Sequence, residues 1–136
     1  MNLLHEESEH KKKILTVDDD RLALIMLERI LTGAGYTVIQ ATNGKDAIAM
    51  VKQEQPDLAI LDIDMPEMDG INLATILKND RQTKNIPIIF LSASEGNGTR
   101  KEITSLPGCS FINKGLQKDD LLRKVKEHIE IFKNIP

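Results

Sequence analysis

The stretch "PDLAILDIDMPEMDG", residues 56–70, decides the fold of this chain. Its apolar run from Leu58 to Leu61 ends abruptly on a carboxylate, Asp62, and a second carboxylate, Asp64, follows two residues later. A strand that is buried on both faces reads as a continuous apolar run, and such strands belong to parallel sheets covered by helices. The stretch therefore predicts a central strand of a parallel sheet that finishes on acidic residues.

The rest of the chain alternates between strand-like and helix-like periodicity. The predicted strands are 13–17, 37–41, 58–62, 87–92 and 110–113, and the clear helices are 21–35, 44–56, 70–80 and 119–132. Alternation of this kind predicts an α/β fold with a doubly wound, five-stranded parallel sheet. Short right-handed crossovers favour the flavodoxin-like strand order 2-1-3-4-5.

Two helical segments differ in how well they are patterned. The first has an apolar face that we assign to Leu22, Ile25, Met26, Ile30 and Leu31. The segment between the fourth and fifth strands contains Gly96, Gly98 and Pro107 and offers little apolar spacing. We therefore expect the helix in this fourth position to be short or frayed.

Length and composition exclude several classes of protein. A chain of 136 residues is one domain by size, with residues 1–12 as a charged tail and 13–133 as the folded unit. The net charge of -3 argues against a nucleic-acid-binding surface. The single cysteine, Cys109, cannot form an internal disulfide, which favours the cytoplasm. No run approaches the roughly 20 apolar residues of a membrane span, so we expect no membrane partner.

Acidic residues also follow the first strand, which ends in "TVDDD". In an open α/β sheet the carboxyl ends of the strands form the working edge, so Asp18 and Asp19 should lie near Asp62. Neighbouring strands are about 4.8 Å apart, and carboxylates that close repel one another. Because an oxygen-only pocket suits a hard divalent ion, the pattern predicts a Mg²⁺ site.

Strands four and five bring two further groups to the same edge. The fourth strand ends at Ser92, a hydroxyl, and Lys114, a cation, follows the fifth. A carboxylate nucleophile, a divalent ion, a hydroxyl and an ammonium group together favour a site that receives a phosphoryl group.

Five motifs in this order resemble a known family. They are "ILTVDDD", "GYTVIQATNGKDAI", "PDLAILDIDMPEMDG", "IPIIFLSAS" and "FINK". From Lys13 to about Phe132 the chain resembles the receiver domains (CheY-like) of two-component response regulators. The resemblance implies a CheY-like fold and a place in a phosphorelay.

The resemblance also implies how the acidic residues act. Asp62 would accept a phosphoryl group from a histidine kinase or a histidine phosphotransfer protein. Asp19 and Asp62 would bind Mg²⁺ directly, together with the backbone carbonyl of Asp64, and Asp18 would act through water.

The same resemblance implies a switch and a role in signalling. Ser92 would be the switch hydroxyl, Lys114 the charge partner of the phosphoryl group, and Phe111 the aromatic residue that changes rotamer. The domain would signal to a downstream protein target and would be a monomer or weak dimer. It would not be an enzyme beyond Mg²⁺-dependent self-phosphorylation and slow self-dephosphorylation. Since the chain ends soon after the last helix, we expect a stand-alone receiver or one taken from a longer protein.

One junction departs from the family pattern. Receivers usually carry Lys-Pro with a cis bond, whereas this chain has Lys114-Gly115. A cis bond before a residue other than proline costs about 2.5–4 kcal/mol, so we expect this bond to be trans. A glycine here also predicts a looser loop that holds Lys114 less firmly. With the weak helix before it, it predicts a mobile face around the fourth helix, the fifth strand and the last helix, which the order of residues 94–108 would test.

Two alternatives remain open. Asp62 and Asp64 also resemble the paired aspartates of haloacid-dehalogenase-type phosphatases. Those enzymes carry the pair on their first strand and need a late acidic pair, and here Asp119 and Asp120 open a helix instead. The other alternative is a pseudo-receiver, a binding module that keeps the fold and is not controlled by phosphorylation.

Overall fold

The structure is a computed structural model that describes residues 11–92, 108–115 and 117–133, without the side chains of 131–133. Five strands and four helices lie in these ranges. In chain order they are β1 (Lys13–Val17), α1 (Arg21–Gly33), β2 (Thr37–Ala41), α2 (Gly44–Glu54), β3 (Leu58–Asp62), α3 (Gly70–Lys78), β4 (Ile88–Ser92), β5 (Cys109–Asn113) and α4 (Lys118–Lys133). None of these helices combines the length and the apolar character that crossing a membrane requires.

All neighbouring strands of the sheet are parallel, in the order β2-β1-β3-β4-β5. The predicted fold class and strand order are therefore confirmed. The predicted strands agree with the observed ones to within one residue, whereas three of the helices end two residues earlier than predicted. The expected short or frayed helix between β4 and β5 falls on residues outside the described ranges and stays a prediction.

Asx side chains begin three of the helices. Asp20, Asn43 and Asp69 each accept a hydrogen bond from a backbone N–H in the first turn of α1, α2 and α3 respectively. Such caps satisfy donors that have no partner inside the helix, and each contributes about 1 kcal/mol. Asp20 and Asp69 also flank the acidic edge of the sheet, so the caps fix where the chain leaves that edge.

Helices cover both faces of the sheet and form two apolar clusters. One cluster joins the sheet to α2 and α3 through residues such as Val51 and Leu73. The other joins it to α1 and α4 through residues such as Leu31 and Val125. Successive side chains of a strand point to opposite faces, which is why β1 supplies Leu15 to the first cluster and Ile14 to the second.

The apolar face predicted for α1 was partly wrong. The buried residues of this helix are Leu24, Leu27 and Leu31. Leu22, Ile25 and Met26 are instead 64%, 46% and 57% exposed. The helix has apolar residues on almost two adjoining faces, so its periodicity alone does not say which face meets the sheet. Contact with the sheet makes that choice, and it leaves an apolar strip facing solvent.

One buried hydroxyl gives a stability prediction. Thr16 in β1 is fully buried, and its Oγ1 has no hydrogen-bond partner among the described residues. An unpaired buried hydroxyl costs about 1–3 kcal/mol, so Thr16→Val should raise the free energy of unfolding by about 1 kcal/mol in urea denaturation.

Thr83 provides the matched control for that measurement. It is equally buried, but its Oγ1 donates to the carbonyl oxygen of Leu77 at 2.6 Å. Thr83→Val should therefore destabilise the fold by about 1 kcal/mol. The same sign for both variants would contradict the assignment of an unpaired hydroxyl at Thr16.

Candidate functional site

The carboxyl edge of the sheet brings together residues that are far apart in sequence. Asp62 is the last residue of β3, and Asp18 directly follows β1, the neighbouring strand. The N–H of Asp18 donates to the carbonyl oxygen of Ala41 at 3.2 Å, which continues the β1–β2 pairing past the end of β1. The strands themselves therefore hold the two carboxylates side by side.

Three carboxylates form a compact acidic cluster, which we call the acidic triad: Asp18, Asp19 and Asp62. One oxygen from each of them lies within 4.8 Å of an oxygen from each of the others. Asp18 and Asp62 are buried, with 1% and 4% exposure, and Asp19 is exposed. The triad thus has a buried floor and one side that opens to solvent.

Lys114 places a cation against the buried floor of the triad. Its Nζ lies 3.0 Å from Oδ2 of Asp18 and 3.2 Å from Oδ1 of Asp62. Its backbone N–H donates to the carbonyl oxygen of Ser92 at 2.9 Å, which ties the start of the loop after β5 to β4. One cation therefore serves two carboxylates, and the cluster keeps an excess of negative charge.

The ionisation of Asp62 reflects this crowding. Burial and the nearby charge of Asp18 raise the pKa of Asp62 to about 6, although Lys114 and the N–H of Asp64 act in the opposite direction. Burial alone would lower the pKa of Lys114, but its contacts with Asp18 and Asp62 outweigh burial and raise it. Without a further cation, the ionised form of Asp62 is therefore less stable in the folded site than in the unfolded chain.

The loop after Asp62 is packed tightly against the end of β3. The N–H of Gly70, the first residue of α3, donates to the carbonyl oxygen of Ile63 at 3.0 Å. A Cβ at this position would overlap the carbonyl oxygen of Asp62 and lie 3.0 Å from the Cα of Ile63. Only glycine allows α3 to begin this close to Asp62.

A family model described as "Response regulator receiver domain" matches residues 14–126. The chain belongs to this family. Receiver domains are modules of two-component signal transduction, generally without enzymatic activity. The acidic triad is typical of the Mg²⁺ site of receivers.

Curated proteins and solved structures agree with the assignment. The response regulator PleD of Caulobacter vibrioides is 34% identical over 114 residues, which are 84% of this chain and 25% of PleD. Protein PilG of Pseudomonas aeruginosa is 28% identical over 127 residues, which are 93% of this chain and 94% of PilG. The crystal structure of a putative response regulator from Chloroflexus aurantiacus is 29% identical and superposes with a TM-score of 0.84, covering 89% of this chain and 99% of the other. This chain thus corresponds to about a quarter of PleD and to nearly all of PilG.

The structure also describes the other site residues predicted for the receiver, Ser92, Phe111 and Asp64. Ser92 is buried at the end of β4, and Asn113 of β5 pairs with it in the sheet. Phe111 is half-buried on β5 and packs against the apolar cluster beneath α2 and α3. Asp64 is exposed, and its N–H donates to Oδ1 of Asp62 at 3.3 Å. Ser92 and Asp64 therefore lie at the edge that carries the triad, whereas Phe111 lies in the middle of β5, opposite Phe90 of β4.

The junction after β5 adds a residue that the sequence analysis missed. No cis peptide bond occurs in the described part of the receiver, so the predicted trans geometry of Lys114–Gly115 is confirmed. Asn113 Oδ1 accepts a hydrogen bond from the N–H of Gly115 at 2.7 Å. An asparagine two residues before a glycine is typical of such a turn, and that spacing was the available signal. The predicted mobility of 94–108 falls almost wholly outside the described residues and stays a prediction.

The late acidic pair is not part of the acidic triad. Asp119 and Asp120 are in the first turn of α4, not at the end of a strand. Acidic residues in a first turn stabilise a helix through its dipole, which accounts for the pair without a catalytic role.

Proposed function

We propose that Asp62 is the phosphoacceptor of this receiver, taking its phosphoryl group from a histidine kinase or a histidine phosphotransfer protein. The observation that carries the proposal is the position of its carboxylate, which is almost fully buried, 3.2 Å from the ammonium of Lys114 and within the acidic triad. A carboxylate that lies between a cation and other carboxylates able to bind a divalent ion is arranged to accept a dianionic phosphoryl group. Asp18 shares these contacts, and Asp62 differs from it in ending the central strand β3 and in accepting a hydrogen bond from the N–H of Asp64.

The acidic triad fits a Mg²⁺ ion. Its oxygens are close enough for one ion, and its three carboxylates face the single ammonium of Lys114, which contacts two of them. We propose that Asp19 and Asp62 bind the ion directly with the backbone carbonyl of Asp64, and that Asp18 acts through water. When bound, Mg²⁺ would neutralise charge that builds up on the phosphoryl oxygens.

The side chains of the receiver supply the remaining steps. A carboxylate oxygen of Asp62 forms a bond to phosphorus while the bond from phosphorus to the donor's imidazole nitrogen breaks, and the imidazole leaves. Lys114, already 3.0 Å from Asp18, would exchange part of its contact with Asp62 for a phosphoryl oxygen. Ser92 would donate its hydroxyl to another phosphoryl oxygen, and Phe111 would change rotamer as β4 and β5 adjust. The downstream protein target would bind the adjusted surface.

The apolar strip on α1 supports contact with a donor protein. Three of the four large apolar residues that are exposed in the described chain, Leu22, Ile25 and Met26, lie on this helix. A groove of about 200 Å³ between α1 and α4 opens beside Asp18 and Lys114. Exposed apolar patches commonly mark contact sites, and this one adjoins the open side of the triad. We propose that the donor covers this strip during transfer.

The scope of the proposed activity is narrow. Residues 13–133 would form the receiver and 1–12 a charged tail, working in the cytoplasm as a monomer or weak dimer without nucleic acid. Catalysis by the chain itself would be limited to Mg²⁺-dependent self-phosphorylation and slow self-dephosphorylation.

Labelling with a small phosphodonor tests the proposal. Wild-type protein incubated with acetyl phosphate and Mg²⁺ should gain one phosphoryl group by intact mass, and Asp62→Asn should gain none. Asp69→Asn is the matched control, because asparagine caps a helix as well as aspartate does and the variant should label normally.

Three outcomes would count against the phosphoacceptor assignment. Labelling that persists in Asp62→Asn would place the phosphoryl group elsewhere. A wild-type protein that neither labels nor binds beryllofluoride would favour the pseudo-receiver. Multiple turnover on a phosphate ester would favour the phosphatase alternative.

A further inference from the structure

We propose that Asn113 is a positioning residue, which holds Lys114 in reach of Asp18 and Asp62 by bonding to the backbone of Gly115. The inference rests on the proposed role of Lys114 at the phosphoryl group. Asn113 itself is not assigned a contact with that group.

Hydrogen bonds fix the backbone on both sides of Lys114. Before its Cα, the N–H of Lys114 donates to the carbonyl oxygen of Ser92 at 2.9 Å. After its Cα, the N–H of Gly115 donates to Oδ1 of Asn113 at 2.7 Å. The first bond prolongs the β4–β5 pairing, whereas the second depends on a side chain. The direction in which Lys114 leaves the sheet therefore depends on Asn113.

Gly115 makes this side-chain bond necessary and possible. Glycine has the greatest backbone freedom of any residue, so a Lys-Gly junction without a further constraint would let Lys114 sample many directions. A Cβ at position 115 would lie 3.2 Å from Oδ1 of Asn113, which is closer than most such contacts. The absence of a side chain at Gly115 therefore leaves room for Oδ1 of Asn113, and the hydrogen bond to this oxygen restrains the backbone of Gly115.

Lys114 needs this restraint because its ammonium group has to contact two carboxylates at the same time. Its Nζ must reach Asp18 and Asp62 at 3.0 and 3.2 Å at once, while its side chain is still 30% exposed. A long lysine side chain loses rotamer freedom when it is held in one such geometry. If the backbone of Lys114 is already fixed, Lys114 loses less conformational entropy when it binds the phosphoryl group.

The test compares Asn113→Ala with Asn113→Ser in the whole chain. At saturating acetyl phosphate and Mg²⁺, Asn113→Ala should label Asp62 about three- to tenfold more slowly, the effect of losing one hydrogen bond. Asn113→Ser should recover part of the rate, because a serine hydroxyl forms the same turn more weakly. The melting temperatures of the three proteins should differ little, since this bond lies at the exposed end of β5.

Two double-substitution cycles separate positioning from a general structural role. In a Gly115→Pro background the N–H donor is gone, so Asn113→Ala should have no further effect. In a Lys114→Met background Asn113→Ala should likewise have no further effect on the labelling rate. For variants that label too slowly to measure, the same comparison can be made with beryllofluoride affinity in the presence of Mg²⁺. An effect of Asn113→Ala that is equally large in either background would overturn the inference.

The outcomes also separate this inference from the proposed function. Wild-type protein that is not labelled at Asp62 would refute the phosphoacceptor assignment. Wild-type protein that is labelled, with Asn113→Ala labelled at the same rate, would refute only the role of Asn113.

Discussion

Replacing Asp62 with asparagine should stabilise the metal-free domain at neutral pH by on the order of 1–2 kcal/mol, and raise its melting temperature by about 5 °C. The carboxylate is almost fully buried beside Asp18, and these two features raise its pKa to about 6. Above that pH the folded domain has to hold the ionised group at a cost that the unfolded chain does not bear. Asparagine has nearly the same shape without the charge. The gain is less than the whole pKa shift implies, because one side of the triad is open to solvent.

The pH dependence of this gain has a definite sign. The pKa of Asp62 is about 6 in the folded domain and near the ordinary 3.8 in the unfolded chain. Between these values the folded state binds more protons, so the wild-type protein loses stability relative to Asp62→Asn as the pH rises from about 4 to about 6. The difference should be near zero at pH 4 and constant above about pH 7.

Thermal melts in EDTA across this pH range measure the effect. Asp80→Asn is the control with the opposite sign, because the N–H of Gln82 and the ammonium of Lys52 lower the pKa of Asp80. The Asp80→Asn variant should be slightly less stable than wild type at neutral pH, and the difference should fade as the pH falls through the pKa of Asp80. The raised pKa of Asp62 would be contradicted if Asp62→Asn melted at a lower temperature than wild type at neutral pH. It would also be contradicted if the difference in melting temperature did not change with pH.

Gly70→Ala should destabilise the fold by about 2–3 kcal/mol and slow the labelling of Asp62 at least tenfold. The added Cβ would overlap the carbonyl oxygen of Asp62 and press on the Cα of Ile63. Both are backbone atoms of the strand end, which cannot turn aside as a side chain would. The start of α3 or the end of β3 must move. A shift of β3 displaces the proposed phosphoacceptor from Lys114, and a shift of α3 displaces the loop that follows Asp62.

Gly33→Ala is the matched control for Gly70→Ala. Gly33 is also helical, and a Cβ there would meet nothing within 4 Å. Alanine is the better helix former, so this variant should be stabilised by up to about 1 kcal/mol and label normally. Urea denaturation and the labelling rate report both effects. A Gly70→Ala protein with wild-type stability and rate would show that the loop after Asp62 yields easily.

Asp62, Asp18 and Lys114 could be predicted as site residues from the sequence because each lies at or just after the end of a strand with a clear apolar pattern. Asp62 ends a run of four apolar residues, and the topology of a parallel sheet places it beside Asp18 whatever the detailed packing. Lys114 could be assigned for the same reason, since it follows the fifth strand. These inferences need only strand order and the position of strand ends, and both follow from periodicity.

Asn113 and Gly70 required the structure. A turn-forming asparagine is common, and the sequence does not say whether Oδ1 of Asn113 accepts a hydrogen bond from the N–H of Gly115. Likewise a glycine that begins a helix is unremarkable until a backbone carbonyl is found where its Cβ would be. Close approach is a property of atoms that are distant in the chain, so local sequence does not encode it.

By itself, the sequence predicted the five strands, their order and the gathering of Asp18, Asp19, Asp62, Ser92 and Lys114 at one edge. The alternation of strand and helix periods and the right-handed crossovers of parallel sheets are sufficient for that inference. The tertiary structure alone decided which face of α1 is buried, placing Leu24 inside and Leu22 outside. It also decided that Asp62 ionises near pH 6, since that pKa depends on burial and on the distance to Asp18. In each of these cases the physical cause is contact and exclusion of water between segments far apart in sequence, and such contact exists only once the chain has folded.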